Sequence, residues 1–279
     1  MQKRVLLIND ISGVGKCSLT VALPIISAFG FEASVMPTAV LSTHTGGFEN
    51  HTFCDLTDNM LPMARHWHSL GLHFDVIYAG YLGSQRQIDI VGQILDLLCT
   101  DDTTFILDPV MGDFGRLYKH FSPDFPKKLG ALVERADIIV PNFTEACLLT
   151  DTEYTEDHGE KNAAVIIEKL YTMYNSDIVL TGICGGKNLL GAACAESSDK
   201  KPHYCFAPHI DGVYHGSGDV FCSVMCGELM NGKTLRSAVK SAVDFTSAAI
   251  KLTHQEGIDT RFGLVFEPEI KNLISGLVK

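Results

Sequence analysis

Five residues, His215-Gly216-Ser217-Gly218-Asp219, run straight into the apolar stretch Val220-Phe221-Cys222-Ser223-Val224-Met225. Glycines let successive backbone N–H groups turn toward one point. A helix starting there adds a partial positive charge at the same point. That combination suits a phosphate, or a transition state that carries negative charge. A carboxylate at Asp219 would repel an anion that was merely bound. It fits a general base, which takes the proton of a hydroxyl as that hydroxyl attacks a phosphoryl group. The plainer alternative is a glycine-rich turn with Asp219 as helix N-cap.

Such a site needs a frame. Short β-branched runs predict strands at Val5–Ile8, Ala33–Val40, Val76–Ala79, Thr104–Leu107, Ile138–Val140 and Ile178–Thr181. Helical patterns separate them at Ser18–Phe29, Gln85–Cys99, Asp124–Arg135 and Glu160–Tyr174. This alternation implies βαβ units and a mainly parallel sheet covered on both faces. Leu189–Ala195 and His203–Phe206 read as an antiparallel pair, and long helices follow near Val220–Met230 and Leu235–Thr253, with a last one after Pro268. No linker or repeat divides residues 1–279, so one α/β domain is expected.

In open α/β sheets ligands sit outside the carboxyl ends of the strands. The unusual residues fall there: Asn9-Asp10-Ile11-Ser12-Gly13, Gly80-Tyr81-Leu82-Gly83-Ser84, Asp108-Pro109-Val110-Met111-Gly112-Asp113, Asn142-Phe143-Thr144-Glu145 and Thr181-Gly182. Ordinary turns could account for each alone, but less well for all five together.

The formal net charge of −11 argues against a nucleic-acid surface, and no apolar run approaches membrane-span length. Nine scattered cysteines without a C-x-x-C pair read as reduced thiols of a cytoplasmic protein. His44 with His51, and His66 with His68, lack the further partners a zinc site needs. Gly13-Val14-Gly15-Lys16-Cys17-Ser18 suggests a P-loop. Yet Asp10 stands where the first glycine belongs, and Cys17 where the magnesium-binding hydroxyl belongs.

Taken in order, these segments resemble the ribokinase-like superfamily, and within it the pyridoxal (pyridoxine, pyridoxamine) kinases, from Ile8 to about Thr253. Thr43-His44-Thr45 looks like the substrate-lid strand, and the loops at Gly80 and Asp108 are close to the pyridoxal kinase forms. Asn142-Phe143-Thr144-Glu145 fits the N-x-x-E motif, and Gly216–Asp219 fits the G-S/T-G-D anion hole.

The resemblance implies a three-layer α/β/α ribokinase-like domain with a mainly parallel central sheet and a small β-lid, usually a homodimer. It implies ATP as donor, Mg²⁺ and often K⁺. Asp219 would be the base, and the N–H groups of Gly216, Ser217 and Gly218 would form the anion hole. Asp108, Asn142 and Thr181 would face the nucleotide, and Asp108 and Glu145 the metal. Ser12, Thr45 and Tyr81 would line the pyridine pocket, and Met111–Phe121 would fold over the nucleotide. Ser217 stands where threonine is more usual. The loop from Asp10 to Gly15 is shorter than in pyridoxal kinases and leans toward hydroxymethylpyrimidine (phosphate) kinases. The expected activity is phosphorylation of the 5′-hydroxymethyl group of a B6 vitamer. Alternatives are a thiamine-pathway hydroxymethylpyrimidine kinase and a non-catalytic sensor on the same fold.

Overall fold

Val5, Leu6, Leu7 and Ile8 are all at most 1% exposed, so the strand they form is covered on both faces. Alternate residues go to opposite cores, Leu6 and Ile8 to one and Val5 and Leu7 to the other. In the computed structural model, which describes residues 2–275, this strand opens an α/β/α sandwich.

The elements in chain order are β1 (Arg4–Val14), α1 (Leu19–Ala28), β2 (Glu32–Thr43), β3 (Phe53–Asp55), α2 (Thr57–Ser69), β4 (Val76–Ala79), α3 (Gln85–Leu98) and β5 (Thr104–Leu107). A two-residue hairpin follows, β6 (Gly112–Asp113) with β7 (Arg116–Leu117), then α4 (Phe125–Val133), β8 (Ile138–Ile139), α5 (Phe143–Leu149) and α6 (Glu160–Met173). The rest comprises β9 (Asp177–Cys184), β10 (Leu189–Ala195), β11 (His203–Pro208), α7 (Ser217–Met230), α8 (Leu235–Glu256) and α9 (Ile270–Ser275).

The main sheet has the order β11-β10-β9-β8-β5-β4-β1-β2-β3. The six strands from β9 to β2 are mutually parallel, and β3, β10 and β11 are antiparallel additions at the two edges. Helices α2 to α6 bury their apolar faces on one side; α1, α7, α8 and α9 do so on the other. The strand order reverses at β1, which lies between β2 and β4, so the crevice for a ligand opens at the carboxyl end of β1.

β1 and β2, like β9, are longer than their sequence patterns suggest. β1 pairs with β4 only through Val5–Ile8, then continues beside β2 with a register shift between Asn9 and Ile11. Beyond the sheet this β1–β2 ribbon gains β3 as an antiparallel neighbour and becomes the lid. Two helices have no counterpart in the sequence reading. α2 carries Pro62 and two polar histidines, His66 and His68, which blur its apolar stripe of Met60 and Ala64. α5 is only seven residues long. α7 begins at Ser217, three residues earlier than its apolar run suggests.

Candidate active site

A cleft of about 1030 Å³ opens outside the carboxyl ends of the parallel strands. That is the upper end of the range for small-molecule pockets, with room for two ligands end to end. Asp10, Thr45, Tyr81, Asp108, Asn142, Glu145, Thr181 and Gly216 through Asp219 all line it.

The start of α7 forms the floor. Gly216 caps the helix at φ 76°, where a Cβ would lie 2.1 Å from the Lys16 carbonyl oxygen, so only glycine fits. A Cβ on Gly218 would meet no atom within 4 Å, so a ligand can come up to that backbone unobstructed. The first intrahelical bond runs from Val220 N–H to the Gly216 carbonyl. The N–H groups of Ser217, Gly218 and Asp219 belong to the turn that finds no helical acceptor. Asp219 is therefore the third helical residue rather than the N-cap. It lies deep in the cleft yet within reach of solvent. Burial pushes its carboxylate up to about 7, opposed by the Ser18 backbone N–H and reinforced by Asp10.

Asp108 and Glu145 stand on the adjoining loops. Asp108 is 7% exposed and receives the Cys222 thiol at 3.5 Å. Burial, and then the charge of Asp219, raise it to about 8. Glu145 is raised well above the usual carboxylate range by burial and by Asp108, against hydrogen bonds from backbone N–H groups. Its Oε1 accepts Met111 N–H at 3.0 Å and its Oε2 accepts Asn142 N–H at 2.8 Å. Asn142 returns the bond, its Oδ1 accepting Glu145 N–H at 2.9 Å, while its amide nitrogen donates to the Gly112 carbonyl at 2.9 Å. The N-x-x-E pattern is thus also a capping box that opens α5 and ties it to the Asp108 loop. Thr181 and Asn142 form a bridge between β9 and the start of α5.

The implied Mg²⁺ can be weighed against these groups. Among the described residues no three His, Cys, Asp or Glu side chains converge as a ready cage. Mg²⁺ is usually held by one or two carboxylates together with phosphates and water. Asp108 and Glu145, both buried and with Asp108 raising the pKa of Glu145, fit that pattern: a cation there would relieve both.

At the other end Tyr81 forms a wall. Its hydroxyl lies 3.0 Å from His120 Nε2, and its N–H donates to Asn9 Oδ1 at 2.9 Å. Burial, with smaller contributions from Asp10 and Asp55, raises its phenol to about 12. Thr45 is exposed in the lid loop just past β2. Ser12 does not line the cleft. It is 1% exposed, and its hydroxyl donates to Asp10 Oδ2 at 3.1 Å, so Asp10 faces the cleft with Ser12 behind it. The sequence signal for Asp10 was its place directly after the first strand.

The sequence reading also missed His44 and His215, both of which line the cleft. His44 accepts Gly46 N–H on Nδ1 at 3.1 Å, so its Nε2 carries the proton and donates to the Arg261 carbonyl at 2.6 Å. Its ring packs 5.0 Å from that of His215. Lys16 is directed away from the cleft, in an ion pair with Glu267 at 2.9 Å, which removes the P-loop reading.

Comparison with known proteins accords with this geometry. The phosphomethylpyrimidine kinase family pattern matches residues 23–265. A Bacteroides thetaiotaomicron structure, assigned as a phosphomethylpyrimidine kinase and containing pyridoxal, is 34% identical with a TM-score of 0.92, covering 98% of this chain and 96% of that one. Pyridoxal kinase from Lactobacillus plantarum is 29% identical with a TM-score of 0.92, covering 99% and 98%. The Arabidopsis thaliana pyridoxal kinase is 25% identical over 72% of this chain. The chain spans 66% of that enzyme's length and 58% of the length of a Schizosaccharomyces pombe relative. With its ribokinase-like sheet, its G-S-G-D helix start and a family match over most of its length, the chain belongs to the phosphomethylpyrimidine kinase family.

Proposed function

We propose that the chain transfers the γ-phosphoryl group of ATP to the 5′-hydroxymethyl group of pyridoxal, pyridoxine or pyridoxamine. The observation that carries this reading is Asp219 on the first turn of α7. A carboxylate raised to about 7 stands beside open backbone N–H groups, in a cleft with room for donor and acceptor. A base of that pKa is well matched to neutral pH. Asp219 takes the acceptor's hydroxyl proton as the new P–O bond forms. The N–H groups of Ser217, Gly218 and Asp219 stabilise the charge that develops on the phosphoryl oxygens. Asp108 and Glu145 would hold Mg²⁺, directly or through its waters, and the ion would neutralise phosphate charge. Asn142 and Thr181 border the triphosphate path, and Tyr81 and Thr45 flank the acceptor ring.

The pyridoxal in the 34%-identical Bacteroides structure supports a B6 ring as acceptor. The family match supports a second reading, in which the acceptor is hydroxymethylpyrimidine or its phosphate. One panel separates them: ADP formation from Mg-ATP with each of the three vitamers and with hydroxymethylpyrimidine. Turnover of vitamers with higher kcat/KM supports the first reading. Preference for the pyrimidine replaces it with the second. Absence of turnover with all four overturns both in favour of a sensor.

A further inference from the structure

We propose that Asp10 is the residue that reads the acceptor ring, pairing its carboxylate with the protonated pyridine nitrogen of a B6 vitamer; this rests on the B6 reading above. Asp10 is 5% exposed and lines the cleft. The register shift between Asn9 and Ile11 interrupts strand alternation at this residue. Asn9 fixes the position by accepting both Asp10 N–H, at 3.0 Å, and Tyr81 N–H, at 2.9 Å. Gly80 lets Asn9 lie this close, since a Cβ there would be 2.4 Å from Asn9 Nδ2. The carboxylate and the aromatic wall are thereby locked together.

Asp10 accepts one hydroxyl on each oxygen, Ser18 Oγ at 2.5 Å on Oδ1 and Ser12 Oγ at 3.1 Å on Oδ2. Each oxygen retains further acceptor capacity. Among the described residues no lysine, arginine or histidine forms a hydrogen bond or ion pair with it. Lys16 is paired with Glu267 and Arg261 with Asp259; His44 lies within electrostatic range of Asp10, but its two ring nitrogens are committed to Gly46 N–H and the Arg261 carbonyl. A buried carboxylate without a cation is costly, and a ligand that brings one recovers that cost. A 3-hydroxypyridine supplies it, because its nitrogen takes up a proton as its phenol gives one up. In the vitamers a single ring carbon separates that nitrogen from the carbon bearing the 5′-hydroxymethyl group. One ring can therefore present N–H⁺ to Asp10 and O–H to Asp219, two carboxylates within electrostatic range of each other.

The test compares pyridoxine with its carbocyclic analogue, in which the ring nitrogen is replaced by C–H, using wild type, Asp10→Asn and Asp10→Ser. Wild type should prefer pyridoxine in kcat/KM by about 10²-fold or more, the scale on which a site built to pair a polar group rejects an analogue lacking it. In both variants that preference should fall by roughly 10-fold or more, mostly through the KM for pyridoxine, with the KM for ATP unchanged. A merely structural role would slow both acceptors alike and leave the ratio intact. Near-equal use of the two acceptors by wild type overturns the proposal without any variant, as does a preference retained in both variants. If wild type turns over no vitamer at all, the B6 reading itself has failed, which is a separate outcome.

Discussion

Ser18 donates its hydroxyl to Asp10 Oδ1 at 2.5 Å while its own backbone sits at φ 55°, ψ −130°. A non-glycine residue in that region stores strain of order 1–3 kcal/mol. The same residue's N–H holds down the pKa of Asp219. One strained turn thus serves two carboxylates, one proposed to read the acceptor ring and one proposed as the base.

Replacement of Ser18 separates these contributions. Ser18→Ala keeps the strain and loses the hydrogen bond to a buried carboxylate, so it should destabilise the protein by about 1–3 kcal/mol. Ser18→Gly loses the same bond but relieves the backbone, and should be the more stable of the two. Urea denaturation of both variants decides; alanine proving the more stable would mean that the turn is not strained.

Metal-free stability should fall as pH rises. Asp108 and Asp219 have folded-state values of about 8 and about 7, above their ordinary carboxylate range. Between roughly pH 4 and 8 the folded chain therefore holds protons that the unfolded chain has released, so its stability decreases with rising pH. Melting in EDTA should show a Tm lower by at least about 3 °C at pH 8 than at pH 5.5, since in a chain this size 1 kcal/mol moves Tm by about that much. Mg-ATP should restore more stability at pH 8 than at pH 5.5. A metal-free Tm that rises across this range contradicts the assignment of two uncompensated buried carboxylates.

Glu145→Gln should have two effects. An amide can accept only one of the two N–H groups now bound, so the start of α5 should weaken by about 1–2 kcal/mol. The Mg²⁺ concentration for half-maximal rate should rise while the vitamer KM stays put. A change in the vitamer KM alone would remove Glu145 from the metal site.

The lid should loosen in His44→Ala. Two hydrogen bonds, to Gly46 and to the Arg261 carbonyl, pin the loop that carries Thr45. Their loss should raise the acceptor KM by about 5-fold, the equivalent of roughly 1 kcal/mol. The KM for ATP should change by less than 2-fold. Equal effects on both would place His44 in general packing.

The parallel strands and flanking helices were legible because buried β-branched runs and 3.6-residue patterns occupy distinct stretches of chain. Val76–Ala79 and Thr104–Leu107 match to the residue. The lid was not legible in full. Asp10 and Gly13 break the alternation of β1 before its outer half, and β3 consists of three exposed residues. Asn142 and Glu145 show a different limit. The pattern that suggests a metal motif is also a capping box, and both acidic oxygens accept backbone N–H groups. The family resemblance places Ser12 at the ring by its position in the loop after the first strand. Only the register shift in β1 shows that Asp10, and not Ser12, faces the cleft.

The most direct test of the account is phosphorylation of pyridoxal, pyridoxine and pyridoxamine by wild type and Asp219→Asn at saturating Mg-ATP. Wild type should release ADP only when a vitamer is present, with kcat/KM falling as pH drops through about 7, where Asp219 takes up its proton. Asp219→Asn should bind ATP normally and lose about 10²–10⁴-fold in kcat, the usual contribution of a general base. Turnover in Asp219→Asn within a few-fold of wild type, or wild-type activity unchanged through pH 7, would contradict the central role given to this carboxylate.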